Sequence, residues 1–399
     1  MITEIKLKDW KSFGESTLLI DQITFLIGTN ASGKSNIIDA LKLLSLLATG
    51  ERLSEVCKRI RGGLDQLIRR GRDASSIEVV FKTDSAKYKY SLTFSVDKVD
   101  AEVVAESLAV EARDEWKFLF FTEKSVKDER GERLIVSFQK DKPGAFKQLE
   151  LTNSTTVLSQ VRGLNVIKEI KEGADAALRT FSSIFILEPN PANMRGSVQL
   201  SEILRTDGSN VAGVIAGLPD GKAKEFVELL TKYVSKLPER DLRRVWAERI
   251  GRFMDLAMLY CEERWDEDGD GMEMDARSMS DGTLRFIAII VALLTRASDS
   301  LIVIEEIDNG LHPSRAGELM TAITEIATER DFDVLCTTHN PVLMDVLIPE
   351  ILKSVSCVNR EGHNGTSHIF RYTERPEFLK ELSRYTPGGM MVNNIFSRK

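Results

Sequence analysis

The residues Gly28-Thr29-Asn30-Ala31-Ser32-Gly33-Lys34-Ser35 match the pattern GxxxxGK[ST] without deviation. An apolar, strand-like run at 18–27 precedes them. From Gly33 onward Ile37, Ile38, Leu41 and Leu44 fall on one helical face. A glycine-containing loop between a strand and a helix turns successive backbone N–H groups toward phosphate oxygens, and the helix N-terminus adds a favourable dipole. Lys34 is then expected to reach the β/γ-phosphates and Ser35 to ligate Mg²⁺, with Asn36 belonging to the same nucleotide-binding set.

A second group of candidates lies far downstream. Residues 301–304 form a short apolar run that ends in Glu305-Glu306. In phosphoryl transfer a carboxylate at such a strand end completes the magnesium shell and a neighbour positions the attacking water. Glu305 is assigned to the metal and Glu306 to the water. Thr337-Thr338-His339-Asn340 closes another apolar run, where the crevice of an α/β sheet lies, and an imidazole there can sense or polarise the γ-phosphate. Ser280, Asp281 and Gly282 open a helix and can serve either as an ordinary cap or as a phosphate-binding N-terminus.

The elements that must position these residues are α/β at both ends of the chain. Residues 2–10 alternate, and the segments around 301–304, 334–337 and 355–358 read as strands separated by helices after Ser280 and near 315–330. Alternation at 76–138 predicts an antiparallel meander packed beside the phosphate loop. Residues 160–263 read as mostly helical, the longest helix being expected over 239–265. Residues from about 386 read as a tail.

Hydrophobic residues make up 42% and charged residues 29% of the 399, which excludes a disordered or collagen-like chain. The net charge of −7 excludes a wholesale basic nucleic-acid coat, while a local basic patch stays possible. Lys58, Arg59, Arg61, Arg69, Arg70 and Arg72 form such a run, readable as a solvated face or as a contact for phosphate or DNA backbone. No CxxC pair indicates a structural zinc site. The longest apolar run, 286–294, falls far short of the roughly 20 residues that span a bilayer. With no signal-peptide core at the N-terminus, a soluble cytoplasmic protein without membrane contact is expected. Residues 266–271 mimic the start of an EF-hand, but its twelfth position would be Arg277 rather than Glu, so an acidic turn is the better reading.

The order GTNASGKS, MSDGT, LIVIEE, IDNGLH, TTHN resembles the ABC-type ATPases of the SMC/RecF/OLD group, particularly the compact AAA-family (AAA_21-like) ATPases of bacterial defence operons. In that group these pieces are Walker A, signature, Walker B, D-loop and switch histidine. Residues 5–13 resemble its first strand and 61–68 its post-helix arginine segment. Three departures stand out. Glu305 replaces the commoner Asp, Met279 and Asp281 depart from LSGGQ, and no Q-loop glutamine stands out, Gln160 being the candidate for that metal ligand. The resemblance implies an α/β fold: a two-lobed ABC-type ATPase head, or P-loop NTPase, with an antiparallel β meander and a short helical insertion. The expected divisions are 1–159 and 270–372 for the two lobes, 160–269 for the insertion, and 373–399 for a C-terminal helix and tail. It also implies ATP and Mg²⁺ as cofactors, bound between two heads of a homodimer or higher oligomer, with Ser280 and Gly282 of one head capping the nucleotide of the other. Three functions compete: control of a separate nuclease or toxin in antiphage defence, RecF-like DNA repair with direct DNA binding, and an ATP-binding scaffold with little turnover.

The residues after His339 include His363 and His368 but no acids spaced like a metal nuclease site, and OLD-type nucleases carry a further TOPRIM domain for which this sequence leaves no room. The purified chain is therefore expected to cut neither DNA nor RNA with Mg²⁺, whatever the nucleotide. Cleavage that survives further purification would contradict this.

Overall fold

The computed structural model describes residues 1–128, 131–142, 144–237, 242–264, 271–346, 349–362, 364–381, 383–393 and 395. The chain opens with β1 (Ile2–Lys8), β2 (Glu15–Leu19) and β3 (Ile23–Ile27). The helices α1 (Lys34–Leu47) and α2 (Leu53–Lys58) follow. Next come β4 (Ala74–Lys82), β5 (Lys87–Val96), β6 (Ala101–Ala112), β7 (Glu115–Asp128), β8 (Gly131–Gln139) and β9 (Phe146–Thr152). Helices α3 (Val157–Gln160) and α4 (Lys168–Ser182) lead to β10 (Ile184–Leu187) and β11 (Val198–Gln199), then to α5 (Val211–Gly217) and α6 (Asp220–Val234). The strands β12 (Leu242–Ile250), β13 (Leu256–Glu263) and β14 (Met272–Asp275) precede α7 (Asp281–Thr295) and β15 (Leu301–Ile304). The chain ends through α8 (Pro313–Arg330), β16 (Asp333–Thr338), α9 (Pro341–Val346), α10 (Pro349–Leu352), β17 (Val355–Arg360), β18 (Ser367–Arg371), α11 (Pro376–Glu381) and α12 (Pro387–Val392).

Three sheets result. The central one has the order β10-β15-β16-β3-β17-β18 and is parallel except for β18. Its inner strands are buried on both faces, as parallel strands covered by helices must be. Alternate residues feed two different cores. Phe25, Ile27, Ile302, Ile304 and Val334 pack with α7 and α8, whereas Leu26, Leu301, Val303 and Leu335 pack with α1 and the meander. The second sheet, in the order β2-β1-β4-β5-β6-β7-β8-β9, is the expected antiparallel meander, extended by β1 and β2 at one edge and β9 at the other.

The run at 18–27 is two strands rather than one. Thr24 Oγ1 exchanges hydrogen bonds with the Asp21 main chain, and this turn sends β2 to the meander and β3 to the central sheet. The long helix expected over 239–265 is the hairpin β12–β13, paired from Leu242↔Glu263 to Ile250↔Leu256; residues 239–241 and 265 lie outside the described ones. Gly251 (φ 86°) and Met254 (φ 55°) make its turn, and Ala257, Leu259 and Cys261 are buried with a period of two. Phe253 is 82% exposed at the tip. Together with β11 and β14 the hairpin forms the third sheet, and β10 belongs to the central one, so 160–269 is not a separate helical unit. The expected acidic turn at 266–271 falls largely outside the described residues. The expected tail contains α12, capped by Thr386 with Pro387 at its first position; Met390 is fully buried and Gly388 N–H donates to Asp345 Oδ1 at 2.6 Å.

Glu106, on β6, is a buried carboxylate that accepts the N–H groups of Val157 and Leu158 at the start of α3 and the Tyr90 hydroxyl. Burial raises its pKa to about 7, against the pull of those donors. Since the unfolded chain releases this proton near pH 4.5 and the folded chain only near 7, stability should fall as pH rises across that window and then level off. Asp333, raised by burial to about 7, adds a parallel slope. In urea titrations from pH 4.5 to 8, Glu106→Gln should remove about one proton's worth of that slope and leave the share from Asp333. An unchanged slope would show that Glu106 ionises normally.

Candidate functional site

The parallel register carries the distant candidates to one edge of the central sheet. Leu187 pairs with Ile304, Ile304 with Cys336, and Thr338 with Ile27. One residue beyond the last residue of β10, β15, β16 and β3, respectively, Glu188, Glu305, His339 and Gly28 emerge at the C-terminal ends of the strands, where ligands bind in open α/β sheets.

The phosphate loop is held from below. Gly28 has φ 157° and Gly33 φ 120°; a Cβ on Gly28 would lie 2.2 Å from Val358 O, and one on Gly33 2.8 Å from Ser367 Oγ. Both glycines are required by close approach as well as by conformation. Thr29, Asn30 and Ala31 form the exposed rim, with Ala31 at φ 64°. Ser367 Oγ donates to Ser32 O at 2.6 Å. Asn36 is turned away from the rim: its amide donates to Ser12 Oγ at 2.8 Å and its carbonyl accepts Trp10 Nε1–H at 2.7 Å. It is therefore a buttress for the start of α1. These supports from β18 and from the turn after β1 have no signature in the loop motif, so the sequence offered no signal for Ser367 or Ser12.

Lys34 folds back over the loop, its ammonium donating to Gly28 O at 2.7 Å and Thr29 O at 3.1 Å. Burial pulls its pKa below the usual value, while Glu306 and Glu305 push it back up. Ser35 Oγ donates to Glu305 Oε1 at 2.5 Å, joining positions 270 residues apart. Arg61 places its guanidinium 3.6 Å from Glu305 and 3.5 Å from the buried Asp39, which Lys11 also pairs at 2.6 Å.

Glu306 adopts φ 49°, an uncommon left-handed conformation for a residue with a side chain. Its N–H donates to Thr337 Oγ1 at 2.8 Å, and its carbonyl accepts from Asn309 N at 2.9 Å and Arg285 at 3.3 Å. The bend separates the two acids, Glu305 toward Ser35 and Glu306 toward His339, whose Nδ1 lies 4.0 Å from Glu306 Oε1. Asp308 accepts the buried Thr338 hydroxyl at 2.6 Å, locking the segment after Glu306 to the end of β16.

The structure brings Ser35, Glu305, Glu306, Arg61 and Arg285 into one cleft of about 570 Å³. Gln160 is not among its lining residues. It sits on α3 with Nε2 donating to Thr152 O, Thr155 O and Thr156 O. The strand end beside Glu305 carries Glu188, which lines the cleft and which the sequence reading overlooked. The signal was available: Ile184–Leu187 is an apolar run ending in an acid, as Leu301–Ile304 is.

Ser280 caps α7, accepting Thr283 N–H at 3.1 Å, and Asp281 pairs with Arg195 at 2.5 Å. Neither is among the residues lining the cleft of its own chain. The basic run is largely engaged with the chain's own acids: Lys58 with Glu55, Arg59 with Glu51, and Arg69 and Arg72 with Asp9.

Donors and acids of this kind suit a magnesium nucleotide: a hydroxyl and a carboxylate already in contact, a lysine beside them, and a buried Ser32 Oγ without a partner beneath the loop. Over residues 23–345 the chain matches the family described as "AAA domain, putative AbiEii toxin, Type IV TA system". The chain belongs to this family. Among solved structures, the SMC head bound to the C-terminal winged-helix domain of ScpA is 14% identical with a TM-score of 0.54, covering 92% of this chain and 96% of that one. The SMC head domain from Thermotoga maritima is 16% identical with a TM-score of 0.46, covering 93% and 98%. An SMC head with an extended coiled coil, bound to the C-terminal domain of ScpA from Pyrococcus furiosus, is 12% identical with a TM-score of 0.48, covering 96% and 99%. No curated protein matches the chain. Family and fold together make this an SMC-head-like P-loop NTPase of mixed α/β architecture. Among the described residues no helix is long and apolar enough to cross a membrane.

Ser367→Ala should leave Ser32 O without its side-chain donor, a loss of about 1 kcal/mol, and weaken nucleotide affinity by roughly fivefold. Titration with a fluorescent ATP analogue checks this, and unchanged affinity would show that the loop is held without Ser367.

Proposed function

We propose that this chain hydrolyses ATP between two head-to-head copies and uses the closing and opening of that pair to control a separate effector, a nuclease or toxin, in antiphage defence. The contact of Ser35 with Glu305, beside a separately aimed Glu306, carries the catalytic part of the reading. The effector role draws support from the toxin–antitoxin description of the family. The solved SMC head bound to the winged-helix domain of ScpA, similar in fold, supports a protein as the partner.

In this mechanism Lys34 leaves the loop carbonyls for the β/γ-phosphates, and the loop N–H groups take the remaining oxygens. Ser35 and Glu305 would hold Mg²⁺, with Glu188 beside them as a second acid. When bound, the ion neutralises charge developing between the β- and γ-phosphates. Glu306 accepts a proton from a water whose oxygen attacks the γ-phosphorus, while the bond to the β–γ bridging oxygen breaks and ADP departs. His339, 4.0 Å from Glu306, would donate to the transferring group. Ser280 and Gly282 of the second copy close over the γ-phosphate. The internal pairing of the basic run supports a protein effector over DNA as the partner.

Lys34→Ala should abolish ATP binding, because the phosphate charge loses its main side-chain partner. Retained micromolar affinity would reject the loop assignment. Glu306→Gln should keep binding, trap the closed pair and slow turnover by at least about a hundredfold. A wild-type rate in that variant would place the catalytic acid elsewhere.

Composite sites also predict complementation. Lys34→Ala and Ser280→Arg each spoil both sites of their own homodimer, by opposite halves. Mixing the two inactive proteins should restore turnover through the one intact site of a mixed pair. Activity that stays near zero at every ratio would reject the head-to-head arrangement.

A further inference from the structure

Arg285 lies just past the first turn of α7 and is half buried beside the cleft. Glu306, Glu188, Asp308 and Asp281 are the acids near it, yet its hydrogen bonds go to main-chain carbonyls. One guanidinium nitrogen donates to Glu306 O at 3.3 Å and the other to Pro189 O at 3.0 Å. These carbonyls follow the ends of two neighbouring parallel strands, β15 and β10, immediately after the acids that face the cleft. A partly desolvated cation that grips two backbones fixes the course of the chain more than it neutralises charge, and a planar fork suits that task better than an ammonium.

The Glu306 carbonyl belongs to the residue held at φ 49°, a conformation that costs about 1 kcal/mol and persists only when its surroundings impose it. Thr337 holds the N–H side of that residue; Arg285 and Asn309 hold the carbonyl side. The segment that follows Pro189 is tied to α7 a second time. Arg195 donates to Ala276 O, Arg277 O and Met279 O and pairs with Asp281, gripping the loop that leads into the helix. The packing at the helix start is equally close, since a Cβ on Gly282 would lie 2.9 Å from Gly310 O in the turn after Glu306.

We propose that Arg285 is a positioning residue that sets Glu306 and Glu188 of its own chain in working geometry and ties them to α7, the helix whose N-terminus faces the second copy. The kinetic part rests on the ATPase reading above; the structural part does not.

Arg285→Ala preserves helix propensity, and Arg285→Lys retains a single donor. In the nucleotide-free full chain, hydrogen exchange at the amides of residues 306–309 should speed up at least about tenfold in Arg285→Ala. Exchange equal to wild type there would overturn the proposal, even if the protein proved to have no ATPase activity. In steady-state kinetics Arg285→Ala should lower kcat at least about tenfold with KM changed less than about threefold, and Arg285→Lys should recover part of the loss. A raised KM with unchanged kcat, or a lysine variant no better than alanine, would overturn it. Mixed pairs separate the two ends of the helix. Arg285→Ala combined with Lys34→Ala leaves one site that uses the carboxylates of the Arg285→Ala chain, and it should stay slow. Combined with Ser280→Arg, the surviving site uses wild-type carboxylates and should turn over normally; the reverse pattern would assign Arg285 to the partner's nucleotide instead.

Discussion

The contact between Ser35 and Glu305 is the constraint around which the rest of the molecule is organised. It joins the first residues of α1 to the end of β15, and it can exist only if β3, β16 and β15 stand side by side in one register. A slip of one residue in a parallel strand would turn Glu305 to the opposite face and bury it in the core built for Ile302 and Ile304. The two hydrophobic cores on either side of the central sheet therefore guard the site as well as stabilise the fold.

Around that contact the chain uses cations to hold backbone. Lys34 grips Gly28 and Thr29, Lys11 reaches Arg61 O as well as Asp39, Arg285 joins Glu306 to Pro189, and Arg195 gathers three carbonyls ahead of α7. Main-chain carbonyls at these loop turns gain a charged donor in this way, in some cases as a second partner: Thr29 O also accepts Ser32 N–H and Glu306 O also accepts Asn309 N–H. Lys34 differs from the arginines in one respect. Its carbonyl partners lie within the loop itself, so the exchange for phosphate oxygens proposed above would leave the rest of the fold in place.

How much of this was legible in the sequence depended on how local each cause was. The phosphate loop, the apolar strands ending in Glu305 and His339, and the Ser280 cap are written in contiguous residues, and each lies in the element expected for it. Periodicity failed where two periods coincide. Leu242, Val245 and Trp246 suit a helical face, yet the buried alternation of Ala257, Leu259 and Cys261 and the turn at Gly251 decide for a hairpin. Thr386-Pro387 was a readable helix start in a segment taken for a tail.

Contiguous residues by themselves supplied the candidates: a glycine-rich loop, an acid pair, a histidine and a capped helix. Tertiary structure decided which of them meet. It placed Glu188 beside Glu305 and left Gln160 with the carbonyls of Thr152, Thr155 and Thr156. It turned Asn36 into a buttress and brought Ser367 beneath the loop from the far end of the chain. Motifs record backbone conformations that a few neighbouring residues can impose, whereas these placements follow from strand order and register, which are set by the burial of whole faces.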